Sequence, residues 1–420
     1  MDSTSPRDVE IAIIGAGIIG LASALHLTSA GREVMVIDQG DPGMGTSFGN
    51  AATIAPYAVT PVGHPNILTS LPSLLFSKDS PLSIRWQALP SLAPWLMRFT
   101  RECSATRTRA NAASIAQLVK QAVPEWTSLA AEAGVSKFLH AKGCIYAYHK
   151  PDLTALTGWP ARLRAEHGVR SEVLSEAEVA KLEPNLPGMT GGGVFFPDAV
   201  HIDDPAAMTM ALAAAVEKRK GEIRRAKITR LTSLEGGKIR LEGPAFSLEA
   251  RKVVIAAGAW AKPLAAQIGD HIPLETERGY HLEFICDKPL LSRPVSPIEF
   301  GFYLTPLGNR LRAAGTVELG GLAAPPNPKR LAFIEERVRR LFPQLGPAQS
   351  TWLGFRPSLP DSLPVIGASS KNPSVIYAFG HGHIGMTLGA VTGRMIKEIA
   401  IGNAPPDEIA AFSARRFGSF

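Results

Sequence analysis

The first forty residues alternate between apolar runs and a run of small residues. Residues 9–14 are apolar and mostly β-branched, which predicts a buried strand, and the glycine-rich residues 15–20 follow as a turn. Small apolar residues over 18–30 predict a helix, and residues 33–37 form a second apolar run. This order predicts a βαβ unit, in which the two strands are parallel and the helix connects them.

The next stretch predicts a loop followed by helices. Residues 40–61 are small and polar, and this loop is long for a connection inside a compact domain, which favours a ligand-binding role. Helical patterns interrupted by prolines cover residues 65–135, and a strand pattern covers 143–148.

The second half predicts another α/β stretch and a set of antiparallel strands. The predicted elements are a helix over 205–219, strands over 223–231, 238–242 and 251–256, antiparallel strands within 275–318 that include 280–285 and 301–306, an amphipathic helix over 329–340, and a strand over 375–379. A glycine-rich turn at 380–385 and a helix to residue 399 close the chain. Strand-turn-helix units near residues 9, 252 and 375 are far apart, so we expect one nucleotide-binding domain built from separate stretches.

Composition and charge narrow the class of protein. With 420 residues, 45% of them hydrophobic and 19% charged, the chain is long enough for about two domains and unlike a disordered protein. The net charge is +7, but basic residues are scattered and do not alternate with aromatic ones. We therefore expect no nucleic-acid partner.

The cysteines and the apolar run near the N-terminus indicate in which cellular compartment the protein is expected. Cys103, Cys144 and Cys286 are distant in sequence and form no CxxC pair, which argues for reduced thiols in a cytoplasmic setting and against a metal site. Residues 11–27 are apolar, but acidic residues precede them and the glycine turn interrupts them, so a strand-turn-helix explains them better than a signal peptide. We expect no transmembrane segment.

The glycine turn has the spacing of a dinucleotide site. Gly15 permits the tight bend, Gly17 permits close approach of a pyrophosphate, and Gly20 permits the helix to pack on the strand. The helix N-terminus offers free N–H groups to phosphates. Asp38 follows the second strand, where a carboxylate accepts hydrogen bonds from a ribose hydroxyl and disfavours NADP.

Three further segments favour FAD over NAD. The loop at 46–52, the turn at 256–260 and the turn at 380–387 are each compatible with ordinary α/β architecture, but together they suit one extended ligand. A glycine-rich turn that opens a helix directs the helix dipole at a group that gains negative charge, as the N1–C2=O edge of a reduced flavin does.

These residues resemble the FAD-dependent D-amino-acid oxidase family, which includes glycine oxidase, sarcosine oxidase and bacterial D-amino-acid dehydrogenases. The resemblance covers nearly the whole chain and is greatest to bacterial D-amino-acid and D-hydroxyproline dehydrogenases. The segments that carry it are residues 14–20 with Asp38, 47–51, 253–260, 352–357, 360–367 and 379–385.

The resemblance implies a reaction and the residues that perform it. The expected reaction is FAD-dependent oxidation of a D-amino acid, or of a secondary amino acid such as a D-hydroxyproline, by hydride transfer from Cα to flavin N5. Arg356 matches the arginine that clamps the substrate carboxylate, Tyr303 the tyrosine that adds a hydrogen bond, and His383 lies at the same centre. Because hydride transfer from a neutral amine needs no dedicated base, we favour a flavin-shaping role over base catalysis for His381 and His383.

The expected cofactor contacts are Gly15, Gly17, Ile18, Ile19, Gly20, Asp38, Gln39, Thr46, Ser47, Asn50, Ala51, Ala52, Ile228, Ala257, Gly258, Trp260, Arg356, Gly382, His383, Ile384, Gly385, Met386 and Thr387. Sarcosine oxidases tie flavin to a late cysteine, and none follows Cys286 here, so we expect non-covalent FAD. Glycine oxidase has an arginine where this chain has His383 and Ile384, which puts in doubt a second cationic contact to the substrate carboxylate. His64 and Tyr57 are further pocket candidates.

The implied fold class is α/β, with a Rossmann-like FAD-binding domain and a substrate domain built on an antiparallel β-sheet plus helices. We expect residues 1–60, 198–270 and 352–420 in the FAD-binding domain. Residues 61–197 and 271–351 are expected in the substrate domain.

The amino-acid pattern leaves the electron acceptor and the role of the chain open. Residues 68–99 are rich in Leu, Pro and Trp, and include Leu74, Leu75, Phe76, Trp86, Trp95 and Phe99. They suit either helices over the substrate pocket or a surface that rests on the cytoplasmic face of the inner membrane, where a quinone would accept electrons. The chain also suits a glycine- or sarcosine-type oxidase that uses oxygen, an enzyme acting on a hydroxy acid, or a non-catalytic FAD-binding subunit.

Overall fold

The computed structural model describes residues 7–68, 70, 80–152, 158–403 and 407–418. Its longer helices are α1 (Ile18–Ser29), α2 (Leu89–Glu102), α3 (Ala105–Ala133), α4 (Trp159–Glu166), α5 (Glu176–Leu182), α6 (Pro205–Lys218), α7 (Ala261–Ile268), α8 (Pro328–Leu341) and α9 (Gly385–Ala400). Its strands are β1 (Arg7–Ile14), β2 (Val34–Asp38), β3 (Thr53–Ile54), β4 (Leu82–Ile84), β5 (Leu139–His140), β6 (Cys144–Ala147), β7 (Glu172–Leu174), β8 (Gly193–Phe196), β9 (Val200–Ile202), β10 (Glu222–Arg225), β11 (Arg230–Ser233), β12 (Ile239–Gly243), β13 (Phe246–Ile255), β14 (Glu275–Ile285), β15 (Val295–Pro297), β16 (Phe302–Leu307), β17 (Arg310–Leu319), β18 (Ser350–Ser358), β19 (Val365–Ala368) and β20 (Val375–Phe379).

Eight of the described strands form a sheet around β1. The main order is β10-β2-β1-β13-β12-β11, with β20 also parallel to β13 and β19 antiparallel to β20. The predicted βαβ unit is confirmed, since β1 and β2 pair in parallel with α1 between them. Because β1, β2, β13 and β20 are parallel, their carboxyl ends meet at one edge, where ligands bind in such sheets.

Close helix packing covers one face of this sheet. A Cβ on Gly393 of α9 would lie 2.7 Å from the backbone carbon of Ala22 in α1, so the two helices touch through their backbones. The fully buried Trp126 of α3 donates a hydrogen bond of 2.8 Å from Nε1 to the Met386 carbonyl. These contacts hold the first turn of α9 at the carboxyl edge of the sheet.

A second sheet contains nine described strands, in the order β18-β14-β17-β16-β15-β6-β8-β7 with β4 beside β17. Most of its pairs are antiparallel, as predicted for residues 275–318, whereas β15 pairs in parallel with β6 and β4 with β17. The amphipathic helix is also confirmed as α8, which buries Ile334, Val338 and Leu341 against this sheet.

One strand prediction was wrong. Residues 223–231 do not form one strand, because β10 pairs with β2 at one end of the first sheet while β11 pairs with β12 at the other. Residues 226–229 cross between them over the carboxyl edge, where the Ala226 N–H donates to the carbonyl of Asp38 over 2.8 Å. The domain boundaries stay a prediction, and β18 in the second sheet spans residue 352, where one boundary was expected.

No helix in the described part of the chain is both long enough and apolar enough to cross a bilayer. Within the same residues, no group of three or more histidine, cysteine, aspartate or glutamate side chains is arranged to hold a metal ion.

Candidate functional site

A cavity of about 1360 Å³ extends from the carboxyl ends of β1 and β2 to the second sheet. Small-molecule sites span roughly 300–1,000 Å³, so this cavity has room for a dinucleotide and a substrate together. The predicted site residues on its wall are Gly15, Gly17, Ile18, Ile19, Asp38, Gln39, Thr46, Ser47, Asn50, Ala51, Ile228, Ala257, Gly258, Trp260, Tyr303, Arg356, Gly382, His383, Ile384, Gly385, Met386 and Thr387. Gly20 and Ala52 are not on the wall, since Gly20 packs within the turn and Ala52 lies in the core.

The glycine turn has no room for a side chain at two of its three glycines, Gly15 and Gly20. Gly15 has φ +113°, and a Cβ there would lie 2.4 Å from the Ala256 carbonyl oxygen of the neighbouring strand connection. A Cβ on Gly20 would lie 1.9 Å from the Gly15 carbonyl oxygen. The turn therefore brings the start of α1 against the end of β13, and Gly17 stays open towards the cavity.

Ser47 brings the polar loop to the N-terminus of α1. Its Oγ accepts a hydrogen bond of 2.9 Å from the Ile18 N–H, and Thr46 Oγ1 donates over 2.9 Å to the Phe355 carbonyl of β18. The loop therefore joins the helix terminus to the second sheet. It places hydroxyl groups beside the backbone N–H groups that a pyrophosphate would meet.

Asp38 lies at the predicted place, at the carboxyl end of β2. Its Oδ2 accepts from the Ala16 N–H over 2.7 Å, and its Oδ1 accepts from the Gly40 N–H over 2.9 Å. Ile228, in the crossover that replaces the predicted strand, lines the cavity at the same end. This end has the acid and the apolar surface that suit a ribose and a base.

The first turn of α9 faces the same cavity. Gly380 and Gly382 have φ values of +85° and +53°, which bend the chain after β20 so that α9 begins at the cavity wall. Thr387 Oγ1 accepts from the Ala55 N–H over 3.0 Å and so attaches this turn to the segment after the polar loop. The helix N-terminus presents partial positive charge to whatever lies against it.

The two histidines of this turn differ in environment. His381 is 3% exposed, its Nε2 is 3.0 Å from Thr392 Oγ1, and burial lowers its pKa to about 3. His383 is exposed, but the surface it exposes faces the cavity, and desolvation together with the positive charge of Arg356 lowers its pKa to about 4. Both imidazoles are therefore neutral at pH 7.

Arg356 projects from β18 opposite Glu277 of β14. Its Nη1 donates a hydrogen bond of 2.9 Å to the Thr316 carbonyl, and no carboxylate of the described residues forms an ion pair with it. Burial lowers the pKa of Arg356, while the charge of Glu277 opposes that shift. Burial also raises the pKa of Glu277. The site thus holds a cation that has no ion-pair partner in the described part of the chain.

A β-bulge supports this arginine. The β14–β17 register shifts between Arg278 and Tyr280, so the segment around Thr316 carries an extra residue. Thr316 has φ +57°, an unfavourable conformation for a β-branched residue. Such bulges commonly lie beside active sites, where they redirect a group. Here the redirected group is the carbonyl oxygen that binds Arg356.

Three tyrosine hydroxyls meet on the wall of the cavity. The Tyr303 hydroxyl is 2.8 Å from that of Tyr146 and 3.3 Å from that of Tyr57. Burial raises the pKa of all three phenols, so each is a hydrogen-bond donor at neutral pH. Tyr303 and Tyr57 were sequence candidates, whereas Tyr146 was missed because a strand residue between apolar neighbours resembles a core aromatic. His64 does not line the cavity and stacks on Trp159 instead.

An apolar wall completes the end of the cavity near these tyrosines. Trp95 and Phe99 of α2 stack with ring centroids 5.2 Å apart, and Trp95 Nε1 donates to the Ser358 carbonyl over 3.3 Å. Trp86 also lines the cavity but is 60% exposed. Leu74, Leu75 and Phe76 lie outside the described residues.

The residues present fit FAD. The turn leaves no space for a Cβ at Gly15 or Gly20, and the N-termini of α1 and α9 both open onto one cavity of about 1360 Å³. Cys103, Cys144 and Cys286 are buried, and none of the three contributes to the described cavity wall. That placement agrees with a cofactor held without a thioether bond.

Comparison with known proteins agrees with this geometry. The DAO family model, described as FAD dependent oxidoreductase, matches residues 10–399. A D-amino-acid oxidase of Bradyrhizobium diazoefficiens is 37% identical over 424 residues, which cover 98% of this chain and 100% of that protein. A D-amino acid dehydrogenase of Paramagnetospirillum magneticum is 31% identical over 426 residues, covering 98% and 100%. The crystal structure of glycine oxidase from Geobacillus kaustophilus has the same fold, with a TM-score of 0.76 at 22% identity over 98% of this chain and 99% of that one.

Proposed function

This chain belongs to the DAO family of FAD-dependent oxidoreductases, and on that premise we propose that it oxidises the Cα–N bond of a D-amino acid to an imine. The observation that carries the proposal is Arg356, a cation without an ion-pair partner among the described residues, on the same cavity wall as the first turn of α9. Relatives at 37% and 31% identity are named D-amino-acid oxidase and D-amino acid dehydrogenase, and they support the choice of substrate class.

Different residues of the cavity wall bind and orient the substrate. Arg356 binds the substrate carboxylate, with the Thr316 carbonyl holding one edge of the guanidinium, and the Tyr303 hydroxyl donates a further hydrogen bond. Bound FAD supplies the acceptor for the hydride that leaves the substrate Cα. The substrate amine must be unprotonated to react, because its nitrogen lone pair forms the new C=N bond as the hydride leaves, and the neutral His383 imidazole adds no second positive charge near Arg356. The imine is released and water hydrolyses it to a keto acid and ammonia.

Anaerobic reduction tests this function directly. Purified yellow protein should bleach when mixed without oxygen with members of a panel of D-amino acids, and bleach far more slowly with the L-enantiomers. The panel also contains D-hydroxyproline, glycine and sarcosine, so that a preference for secondary amines or for glycine is visible. If no amine bleaches the flavin and another polypeptide co-purifies, the chain is a non-catalytic FAD-binding subunit and the proposal is wrong.

Arg356→Ala tests the role of the arginine. We expect a rise in KM of roughly a hundredfold or more, because a charged partner of the carboxylate is lost, with the flavin content unchanged. Loss of flavin from Arg356→Ala would show that this residue holds the cofactor instead.

The proposal also includes the molecule that accepts electrons from the reduced flavin. The exposed Trp86 on the cavity wall supports contact with the cytoplasmic face of a membrane, where a quinone would reoxidise the flavin during amino-acid catabolism. We expect the protein to sediment with membranes at low salt, and reduced protein to reoxidise faster with a quinone than with dissolved oxygen. Faster reoxidation by oxygen would make it an oxidase of the glycine or sarcosine type.

A further inference from the structure

We infer that Arg164 binds a second anionic group of the substrate, so that the preferred substrate is a D-amino acid with a side-chain carboxylate. This inference rests on the proposed function and names the substrate class of the same cavity. Arg164 was not among the residues that the sequence singled out.

Arg164 is held on the cavity wall by two aromatic rings. It belongs to α4, which covers the second sheet near β6 and β8. Its guanidinium carbon lies 5.5 Å from the ring centroid of Tyr146 and 5.3 Å from that of Phe196. Contacts of this kind orient a guanidinium but leave its N–H groups free to donate.

Among the described residues, these N–H groups have no anionic partner. No carboxylate in the described ranges forms a salt bridge with Arg164, although its helix neighbour Glu166 pairs with Arg109. The Nε atom of Arg164 is buried and has no hydrogen-bond partner among the same residues. A buried donor without a partner is costly, so a ligand that accepts from it gains affinity.

The charge balance at this end of the cavity favours a doubly anionic ligand. Among the described residues, the permanent cations on the wall at this end are Arg356 and Arg164, and the acid on the same wall is Glu277, whose pKa burial raises. An α-carboxylate compensates only Arg356. A second carboxylate on the substrate would compensate Arg164 as well.

The two arginines flank the tyrosine cluster rather than sharing one position. Arg356 lies on β18, Arg164 covers Tyr146 on β6, and β16 with Tyr303 lies between these strands in the sheet. The Tyr146 hydroxyl is 2.8 Å from that of Tyr303, so the hydroxyl cluster continues from the carboxylate clamp to the second guanidinium. A substrate held by Arg356 and Tyr303 therefore directs its side chain towards Arg164.

Matched substrate pairs test this inference on the unaltered holoenzyme. D-Glutamate and D-glutamine have nearly the same shape, as do D-aspartate and D-asparagine, and each pair differs by one charge. We expect kcat/KM to be roughly ten- to a hundredfold higher for at least one of the acids than for its amide. Amides that equal or exceed both acids would overturn the inference while leaving D-amino-acid oxidation intact, whereas failure of every D-amino acid would overturn the proposed function.

Variants assign the effect to Arg164. Arg164→Leu should lose the preference for the acid, through a higher KM for the acid with little change for the amide, and Arg164→Lys should retain part of it. Arg162→Gln, which removes a charge from an exposed position of the same helix, should keep the full preference. An equal loss for acid and amide in Arg164→Leu would show that this residue binds the α-carboxylate or supports the fold, and would overturn the inference.

Binding without turnover provides an independent measurement. Glutarate and butyrate differ by one carboxylate, and neither has an amine to be oxidised. We expect glutarate to bind the holoenzyme more tightly, as measured by perturbation of the flavin absorbance, and Arg164→Leu to reduce this difference roughly ten- to a hundredfold. Equal affinity of the two acids for unaltered protein would count against Arg164 as an anion site.

Discussion

The Nη1 atom of Arg356 donates a hydrogen bond of 2.9 Å to the carbonyl oxygen of Thr316, a residue with φ +57° in a β-bulge. The strained backbone and the cation belong to strands that do not pair with each other, since β14 lies between β17 and β18. Gly279 of β14 leaves the space that the guanidinium occupies, because a Cβ there would lie 2.4 Å from Arg356 Nη2.

Gly279→Ala should therefore displace the arginine. The added methyl group collides with the guanidinium, so we expect KM for the substrate to rise roughly tenfold or more while the flavin stays bound. Steady-state kinetics with the flavin-to-protein absorbance ratio measures both effects. Gly346→Ala is the control, since a Cβ at that position meets no atom within 4 Å. Unchanged KM in Gly279→Ala would mean that the arginine tolerates the shift.

Tyr303→Phe should weaken substrate binding more than Tyr57→Phe. Both substitutions remove one hydroxyl from the same cluster. Tyr303, however, is hydrogen-bonded to both Tyr57 and Tyr146, and its hydroxyl is the one that we propose donates to the substrate carboxylate. We expect KM to rise roughly 3- to 20-fold for Tyr303→Phe, the cost of a hydrogen bond to an anion. Because burial raises the pKa of these phenols, neither variant should change the pH profile below pH 9. Equal effects would remove the special role of Tyr303.

Substitutions of two glycines in the turn should affect cofactor binding and folding separately. Gly17→Val places a branched side chain at the cavity wall, where it excludes the pyrophosphate, so we expect folded but colourless protein. Gly15→Ala has a different defect, because φ is +113° and the Ala256 carbonyl is 2.4 Å from the new Cβ. We expect its free energy of unfolding to fall by about 2 kcal/mol or more. Circular dichroism and flavin absorbance distinguish the two, and a yellow Gly17→Val protein would contradict the first expectation.

Acid should destabilise the protein partly through His381. Its pKa is about 3 in the fold and ordinarily about 6.5, so the unfolded chain binds the proton first as the pH falls. The resulting loss of stability is small at pH 7 and grows as the pH falls towards 3. At pH 5 it amounts to about 2 kcal/mol for this residue. Urea unfolding with saturating FAD should show a smaller loss between pH 7 and pH 5 in His381→Gln than in the unaltered protein. Identical pH dependence in both proteins would assign the loss to other buried histidines.

Acid precipitation should release the flavin into the supernatant. The three cysteines are buried, and none lies on the described cavity wall, so a thioether to the flavin has no sulfur donor there. The absorbance of supernatant and pellet after centrifugation measures the distribution. Flavin that stays with the pellet would show a covalent bond to another residue.

Much of the fold could be predicted from the sequence because its signals are local. Residues 375–379 form a strand as the apolar run predicts, and α1 begins at Ile18, within the glycine turn, where the predicted helix begins. The prediction of one strand over residues 223–231 was wrong, since no local pattern shows that the two halves pair at opposite ends of a sheet. The pattern of apolar and polar residues near position 228 is compatible both with a strand and with a connection that crosses the edge of the sheet.

The sequence by itself determined the βαβ unit, the glycine turn with Asp38, and the candidate arginine, because each depends on residue types at short spacing. Only the tertiary structure decided that Thr316 and Gly279 hold Arg356, and that Tyr146 joins Tyr303. It also decided that Arg164 faces the cavity without a carboxylate partner in the described part of the chain. The hydrogen bonds of Arg356 with Thr316 and of Tyr146 with Tyr303 join residues that are 40 and 157 positions apart. Such contacts depend on the β-bulge and on the order of strands in the sheet. Their free energy is therefore set by tertiary packing, which no local sequence pattern shows.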